Sequence, residues 1–360
     1  MTGSAIPRVL AIMGSGETAP TMAKVHRLLL GRLGRPPVPA ALLDTPYGFQ
    51  ENADEITARA LEYFRENVGY PMTLASFRHG DGDPVHRATT IARLREARYL
   101  FAGPGSPSYA LRQWLGTELP DIIVDKLDRG GIVTFASAAA LTLGRYAIPV
   151  YEIYKVGDSP RWLEGMDVMG RLGFDVAVVP HYDNAEGGTH DTRFCYLGER
   201  RLQVLEADLP DSTYVLGVDS HTALILDFGS GTASVLGLGG VTVRVRGESE
   251  VLAAGASLTI DQLRDTAAAL RRGDPGRRRG GTAAGAVVAD AGTGGRSTQE
   301  PGAGAQPRAR TDSPLLADVH GLEAQFERAL DRRDVHTAVR AILSIESTLV
   351  DWSRDTGLND

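Results

Sequence analysis

Cysteine is almost missing from this 360-residue chain: Cys195 is the only one. No intramolecular disulfide can form, and the sequence argues against a cysteine-based zinc site. His26, His79 and His86 lack the paired spacing of metal ligands, so neither metal nor cofactor is expected. No apolar run approaches the roughly 18–20 residues that span a bilayer. Positive charge is not in excess either. The net charge of −7 gives no general reason to expect nucleic acid or a membrane as partner. Trp114, Trp162 and Trp352 suit helix packing better than base stacking. The apolar run near the N-terminus is short, contains Arg8 and leads into a Gly-rich turn, so it reads as a first strand and not a signal peptide. These absences leave a soluble cytoplasmic protein as the expectation. A content of 42% hydrophobic and 23% charged residues fits ordinary globular chains.

What is present is an alternation. RVLAIM (8–13), PAALLD (39–44), TLASF, YLFAG and VTFAS read as strands. Helical patterns occupy 21–33, 52–68, 85–96 and a stretch beginning near Tyr109. This order predicts an α/β fold with a mostly parallel sheet flanked by helices. After about residue 174 short strands follow one another (VAVVP, YVLGVD, TALILDF, ASVLGLG, VTVRVRG), which predicts an antiparallel extension or a pair of hairpins in the same domain. Three parts are therefore expected: an α/β domain over 1–270, a disordered linker over 271–313 rich in Gly, Ala, Arg and Pro, and a C-terminal helical hairpin over 314–360. Asp312 or Ser313 would cap its first helix and Asp334 its second.

An open parallel sheet presents its functional groups at the carboxyl ends of strands. Three loops have that position: GSGE (Gly14–Glu17), GPGSPS (Gly103–Ser108) and the turn at Ser137. Neither glycine loop has dinucleotide or P-loop spacing. Their glycines let backbone N–H groups approach a ligand, and the helix N-termini after the second and third would favour developing negative charge. A serine nucleophile needs a base and a group to orient it. His181, after the strand VAVVP, is the first candidate for base, with His221 and His190 as alternatives. Asp219 ends another strand and could orient the base. Cys195 lacks a strand–turn–helix context and reads as a buried thiol.

The order of segments resembles the cyanophycinase and α-aspartyl dipeptidase (peptidase E) group of serine peptidases, with their class I glutamine amidotransferase-like fold. The segments are GPGSPSYALRQW, FASAAALTLG, VVPHYDNAEGGTHDTRFCYLGERRL and VLGVDSHTALIL, and MGSGE fits the opening; together they span roughly residues 8–245. The resemblance implies Ser137 as nucleophile, His181 as base, and Gly105 with the Ala138 N–H as oxyanion donors. Gly16 and Glu17 would lie at the substrate. The implied reaction is hydrolysis of an amide bond in a small Asp-containing or related peptide through an acyl-enzyme. Arg193, Arg200 or Arg201 would then hold a carboxylate. A homo-oligomer is compatible with this reading. A shorter stretch, FERALDRRDVHTAVRAILSIE, is similar to a helical region of cysteinyl-tRNA synthetases, but no synthetase nucleotide motif accompanies it.

Three departures from the resemblance matter. Phe135 stands two residues before Ser137, and Ala139 two after it, where relatives carry Gly. Phe135 is compatible with a tight nucleophile turn only if its side chain points away. Ser220 occupies the expected acidic position, and strand alternation would turn the neighbouring Asp219 to the other face. His221 could itself fill that pocket. The alternative expectation is therefore a catalytically inactive homologue that acts as a ligand- or protein-binding module.

Overall fold

In the computed structural model, residues 6–80 and 82–273 are described, with Arg328, Arg332, Thr337 and Ser344 beyond them. Within them the run Arg8–Met13 forms strand β1 in the middle of an eight-stranded sheet. The chain divides into two units, Met1–Ala284 and Gly285–Asp360, and the fold is that of the first. Apart from those four positions and the end of the last helix, the expected linker and hairpin lie outside the described residues.

Strand β1 is apolar from Val9 to Met13 because both faces are covered there. Val9, Ala11 and Met13 point into one core and Leu10 and Ile12 into another. The parallel half continues with β2 (Ala40–Leu43), β3 (Thr73–Ala75), β4 (Tyr99–Ala102) and β5 (Gly131–Ala136), in spatial order β1-β5-β4-β2-β3. Helices α1 (Pro20–Gly31) and α2 (Ala53–Tyr63) cover the first face. Helices α3 (Pro84–Glu96), α4 (Pro107–Trp114) and α5 (Leu119–Arg129) cover the second. The expected helix over 52–68 is α2 followed by a π-helical turn, Phe64–Val68.

Beyond α6 (Ala138–Leu141), the two-residue strands β6 (Tyr146–Ala147) and β7 (Leu163–Glu164) pair with each other, and α7 (Val168–Arg171) leads to β8 (Val176–Val179). Strand β8, after which comes helix α8 (Gly198–Ala207), pairs with β9 (Tyr214–Val218) in a separate sheet. β10 (Thr222–Asp227) returns to the large sheet antiparallel to β1, and β11 (Thr232–Gly237) pairs antiparallel with β10. β12 (Gly240–Val245) and β13 (Glu248–Ala253) complete the second sheet, ordered β13-β12-β9-β8. The short strands expected to form an antiparallel extension or a pair of hairpins thus include two hairpins, β10–β11 and β12–β13, shared between two sheets. β14 (Ser257–Thr259) closes the far edge of the first sheet, and α9 (Ile260–Arg271) ends the unit behind a Thr259–Gln262 capping box. Side chains of both sheets meet in one core, where Leu224 and Leu226 share a cluster with Val176, Leu216 and Val243. No helix among the described residues is long and apolar enough to cross a membrane.

Candidate active site

Strand β5 ends at Ala136, paired with Met13, and the Ser137 N–H donates to the Met13 carbonyl at 3.1 Å. The backbone then reverses at Ser137, with φ 51° and ψ −122°. A non-glycine residue at positive φ is disfavoured and marks a place where surrounding contacts dictate the conformation. The turn resembles a nucleophile elbow, which lifts a side chain above the sheet edge. Phe135 does not obstruct it. Its ring is fully buried on the α4 side of the sheet, 5.8 Å from the ring of Trp114. The positive φ of Ser137 breaks the alternation that would otherwise send both side chains the same way. Ala139, also fully buried, donates its N–H to the Gly103 carbonyl at 3.2 Å.

His181 arrives from the other sheet, two residues after β8. Its φ of 47° is again positive, and its Nε2 lies 2.8 Å from Ser137 Oγ. With the proton on Nδ1, Nε2 accepts from the serine hydroxyl, the arrangement a general base requires. Burial pushes the His181 pKa below the ordinary imidazole value, opposed by the nearby carboxylates of Glu186 and Asp183. The ring is thereby kept neutral at physiological pH, as a base must be.

The GPGSPS loop follows β4 and meets Ser137 from the other side. Gly105, Ser137, Ala138 and His181 line one cleft. At φ 135°, a Cβ on Gly105 would sit 2.0 Å from the Pro46 carbonyl oxygen, so only glycine fits. The N–H groups of Gly105 and Ala138 have no hydrogen-bond acceptor among the described residues. Both are thus free for an oxyanion. The expected helix-end contribution is smaller than the pattern suggested. Helix α6 has only four residues, and α4 starts at Pro107 with its first turn capped by Ser106 Oγ, which accepts from the Tyr109 N–H at 3.1 Å.

The structure places the other sequence candidates elsewhere. Asp219 is not turned to His181: its Oδ2 accepts from the Gly240 N–H at 2.7 Å, at the start of β12. Burial raises its pKa. Asp183 binds the Ser220 N–H through Oδ1 at 2.7 Å, and Glu186 accepts from the Tyr196 hydroxyl at 2.6 Å. No carboxylate hydrogen-bonds His181 Nδ1 among the described residues. His221 does not fill the gap. Its ring lies over Gly16, and its Nδ1 is 3.0 Å from Thr21 Oγ1. His190 stacks on Tyr154 at 6.3 Å.

Gly16 and Glu17 are outside the cleft lining. The GSGE turn instead joins the β9–β10 connection, where the His221 N–H donates to the Ser15 carbonyl at 3.2 Å. Glu17 is buried, its carboxyl raised in pKa by desolvation. It lies close behind the GPGSPS loop, where a Cβ on Gly103 would sit 3.2 Å from Glu17 Oε1. Arg193 is held by Asp191 through two bonds of 2.9 Å, and neither it nor Arg200 nor Arg201 lines the cleft.

The remaining lining was not recognised in the sequence. Tyr151, Tyr154 and Lys155 come from the π-helical turn Glu152–Val156 and the residue before it, and Tyr196 from the loop after His181. The i, i+3, i+4 spacing of the first three was the available signal, since it gathers them on one side of a helical turn. Phe194, Cys195 and Tyr196 take φ of 60°, 56° and 66° in succession. Each such residue costs roughly 1–2 kcal/mol. Long-range contacts hold them: Phe194 N–H to the Tyr182 carbonyl at 2.9 Å, Cys195 N–H to the His181 carbonyl at 3.0 Å, and the Arg244 guanidinium 5.3 Å from the centre of the Phe194 ring. Arg244 is itself buried and bound to Glu206 at 2.9 Å and Glu199 at 3.0 Å. Cys195 is a buried thiol, as expected, with its pKa pushed up to about 12 by burial. Burial disfavours its thiolate, the form that attacks a carbonyl.

Among solved structures, the chain is similar to a peptidase from an acI-B1 Actinobacterium, at 21% identity and a TM-score of 0.56, over 71% of this chain and 97% of that one. A putative peptidase E protein from Listeria monocytogenes EGD-e is 12% identical, with a TM-score of 0.44, over 69% of this chain and 100% of that one. The first likeness is one of fold. No protein-family model and no curated protein matches the sequence.

Proposed function

We propose that the protein is a serine hydrolase that cleaves an amide bond in a small peptide or related molecule through an acyl-enzyme. The observation that carries this reading is the 2.8 Å contact between Ser137 Oγ and His181 Nε2. In the proposed reaction Ser137 Oγ attacks the carbonyl carbon while its proton passes to His181 Nε2. The oxyanion is met by the N–H groups of Gly105 and Ala138. His181 returns the proton to the leaving amine, and water, activated by the same ring, releases the acid. The fold shared with a structure described as a peptidase supports the class of reaction and not the substrate.

The test is labelling with a fluorophosphonate, which reports an activated serine. Wild-type protein is expected to be labelled at Ser137, and Ser137→Ala to be unlabelled and inactive on peptide amides. A Ser137→Ala protein with full hydrolytic activity would overturn the proposal. A second reading, a ligand- or protein-binding module without turnover, draws on the lack, among the described residues, of a carboxylate hydrogen-bonded to His181 Nδ1. Unlabelled wild-type protein would select it.

A further inference from the structure

The cleft encloses about 400 Å³. Its lining does not suit the small acidic side chain that the sequence resemblance implies. From His181 outward one wall is aromatic: the Tyr196 ring centre is 6.1 Å from His181, and Tyr154 is 5.0 Å from Tyr196. Three of the eleven tyrosines in the chain, Tyr151, Tyr154 and Tyr196, border this one cleft. Aromatic side chains make up only 6% of the sequence, so this is a concentration and not a background. Pro104, Leu141 and Val150 add aliphatic surface.

Charge in the lining is sparse and of one sign. Apart from the titratable His181, Lys155 is the charged side chain that borders the cleft, and no Asp or Glu does. The ammonium of Lys155 lies 4.6 Å from the centre of the Tyr151 ring and has no ion pair among the described residues. The arginines that would present a planar fork to an Asp side chain are elsewhere, Arg193 being committed to Asp191. A largely apolar cleft with one convergent charge selects a ligand with a ring and one opposite charge. Ring edges and faces of Tyr154 and Tyr196 favour an aromatic group over an aliphatic one of equal size.

We infer that the cleft binds an acyl group bearing an aromatic ring and a carboxylate, with the ring against Tyr154 and Tyr196 and the carboxylate on Lys155. The inference rests on the hydrolase reading for what happens to that group, but not for its binding.

Calorimetric titration of the full chain tests it with three small probes. 3-Phenylpropionate has a ring and one carboxylate, 3-phenylpropanamide only the ring, and succinate two carboxylates and no ring. 3-Phenylpropionate is expected to bind with one-to-one stoichiometry. The amide should bind about threefold to fivefold more weakly, the range of a solvent-exposed ion pair. Succinate should bind about tenfold more weakly or worse, having lost the ring contacts. Lys155→Met should abolish the preference for acid over amide, and Lys155→Arg should keep it. Lys155 is exposed, so neither variant disturbs the core. Succinate binding as tightly as 3-phenylpropionate, an acid preference that survives Lys155→Met, or no binding of the aromatic acid would each overturn the inference. Fluorophosphonate labelling of the same protein separates the two readings. Binding at Lys155 with Ser137 unlabelled removes the hydrolase and leaves the ring-and-carboxylate site. Labelled Ser137 without binding removes the site and leaves the hydrolase.

Discussion

Ser137 and His181 meet at 2.8 Å from two different sheets, each at a backbone φ that non-glycine residues avoid, 51° and 47°. Two independent strained positions converging on one hydrogen bond are costly unless the contact matters. The expected consequence is kinetic. His181→Ala should slow fluorophosphonate labelling of Ser137 by roughly 10²–10⁴-fold, the usual contribution of a positioned base. Because burial lowers the His181 pKa, the ring stays neutral further into acid than a free imidazole does. The labelling rate should therefore be flat through neutral pH and fall only below the ordinary histidine range. Labelling rates measured as a function of pH check this, and a fall above that range would assign the base elsewhere.

Asp219→Asn should leave the labelling rate within about twofold, the equivalent of 0.5 kcal/mol or less. Its carboxylate serves the Gly240 N–H and does not reach the histidine. A large rate loss, with unchanged thermal unfolding, would mean that the carboxylate acts on His181 after all.

Phe135→Ala should destabilise the fold by about 3–5 kcal/mol, as truncation of a buried aromatic does. The ring is fully buried against Trp114 in the main core. A smaller residue there would bring the sequence nearer to the one resembled, yet it should not raise activity, since the ring stands clear of the turn. Denaturant unfolding and labelling of the same variant separate the two effects.

His26 should set part of the acid sensitivity. It is fully buried, donates from Nε2 to the Glu17 carbonyl at 2.7 Å and accepts at Nδ1 from the Tyr99 hydroxyl at 2.7 Å. Burial lowers its pKa to about 4. The unfolded chain, with an imidazole near 6.5, then binds the proton first as pH falls. Stability is fully present above about pH 6.5 and is lost toward pH 4, by up to about 3 kcal/mol. Denaturant unfolding across this window should show the loss in wild-type protein and its removal in His26→Gln.

Much of the fold was legible because apolar runs such as RVLAIM and GIVTFA are long enough only for strands buried on both faces. The positions of Ser137 and His181 followed from the same logic, as both come just after strands. Other features needed the third dimension. Nothing in the spacing of β8 and β9 says that they leave the main sheet, because a parallel pair reads alike in either sheet. Phe135 looked obstructive because alternation puts residues i and i+2 on one face, and a single positive φ cancels that rule. Asp219 and Glu17 sit beside functional turns in sequence, but their carboxylates turn to Gly240 and toward Gly103. The cleft wall of Tyr151, Tyr154 and Lys155 lay in a stretch with no motif, where only side-chain spacing pointed to a shared direction.

The left-handed run Phe194–Tyr196 takes its shape from a distance. No local preference favours three such residues in a row, so the growing chain has no reason to visit this shape early. The contacts that impose it come from His181, Tyr182 and Arg244, and Arg244 lies on β12, paired with β9. The wall beside His181 therefore keeps its shape only while these distant contacts are in place. Arg244 thus shapes a cleft wall that it does not itself line.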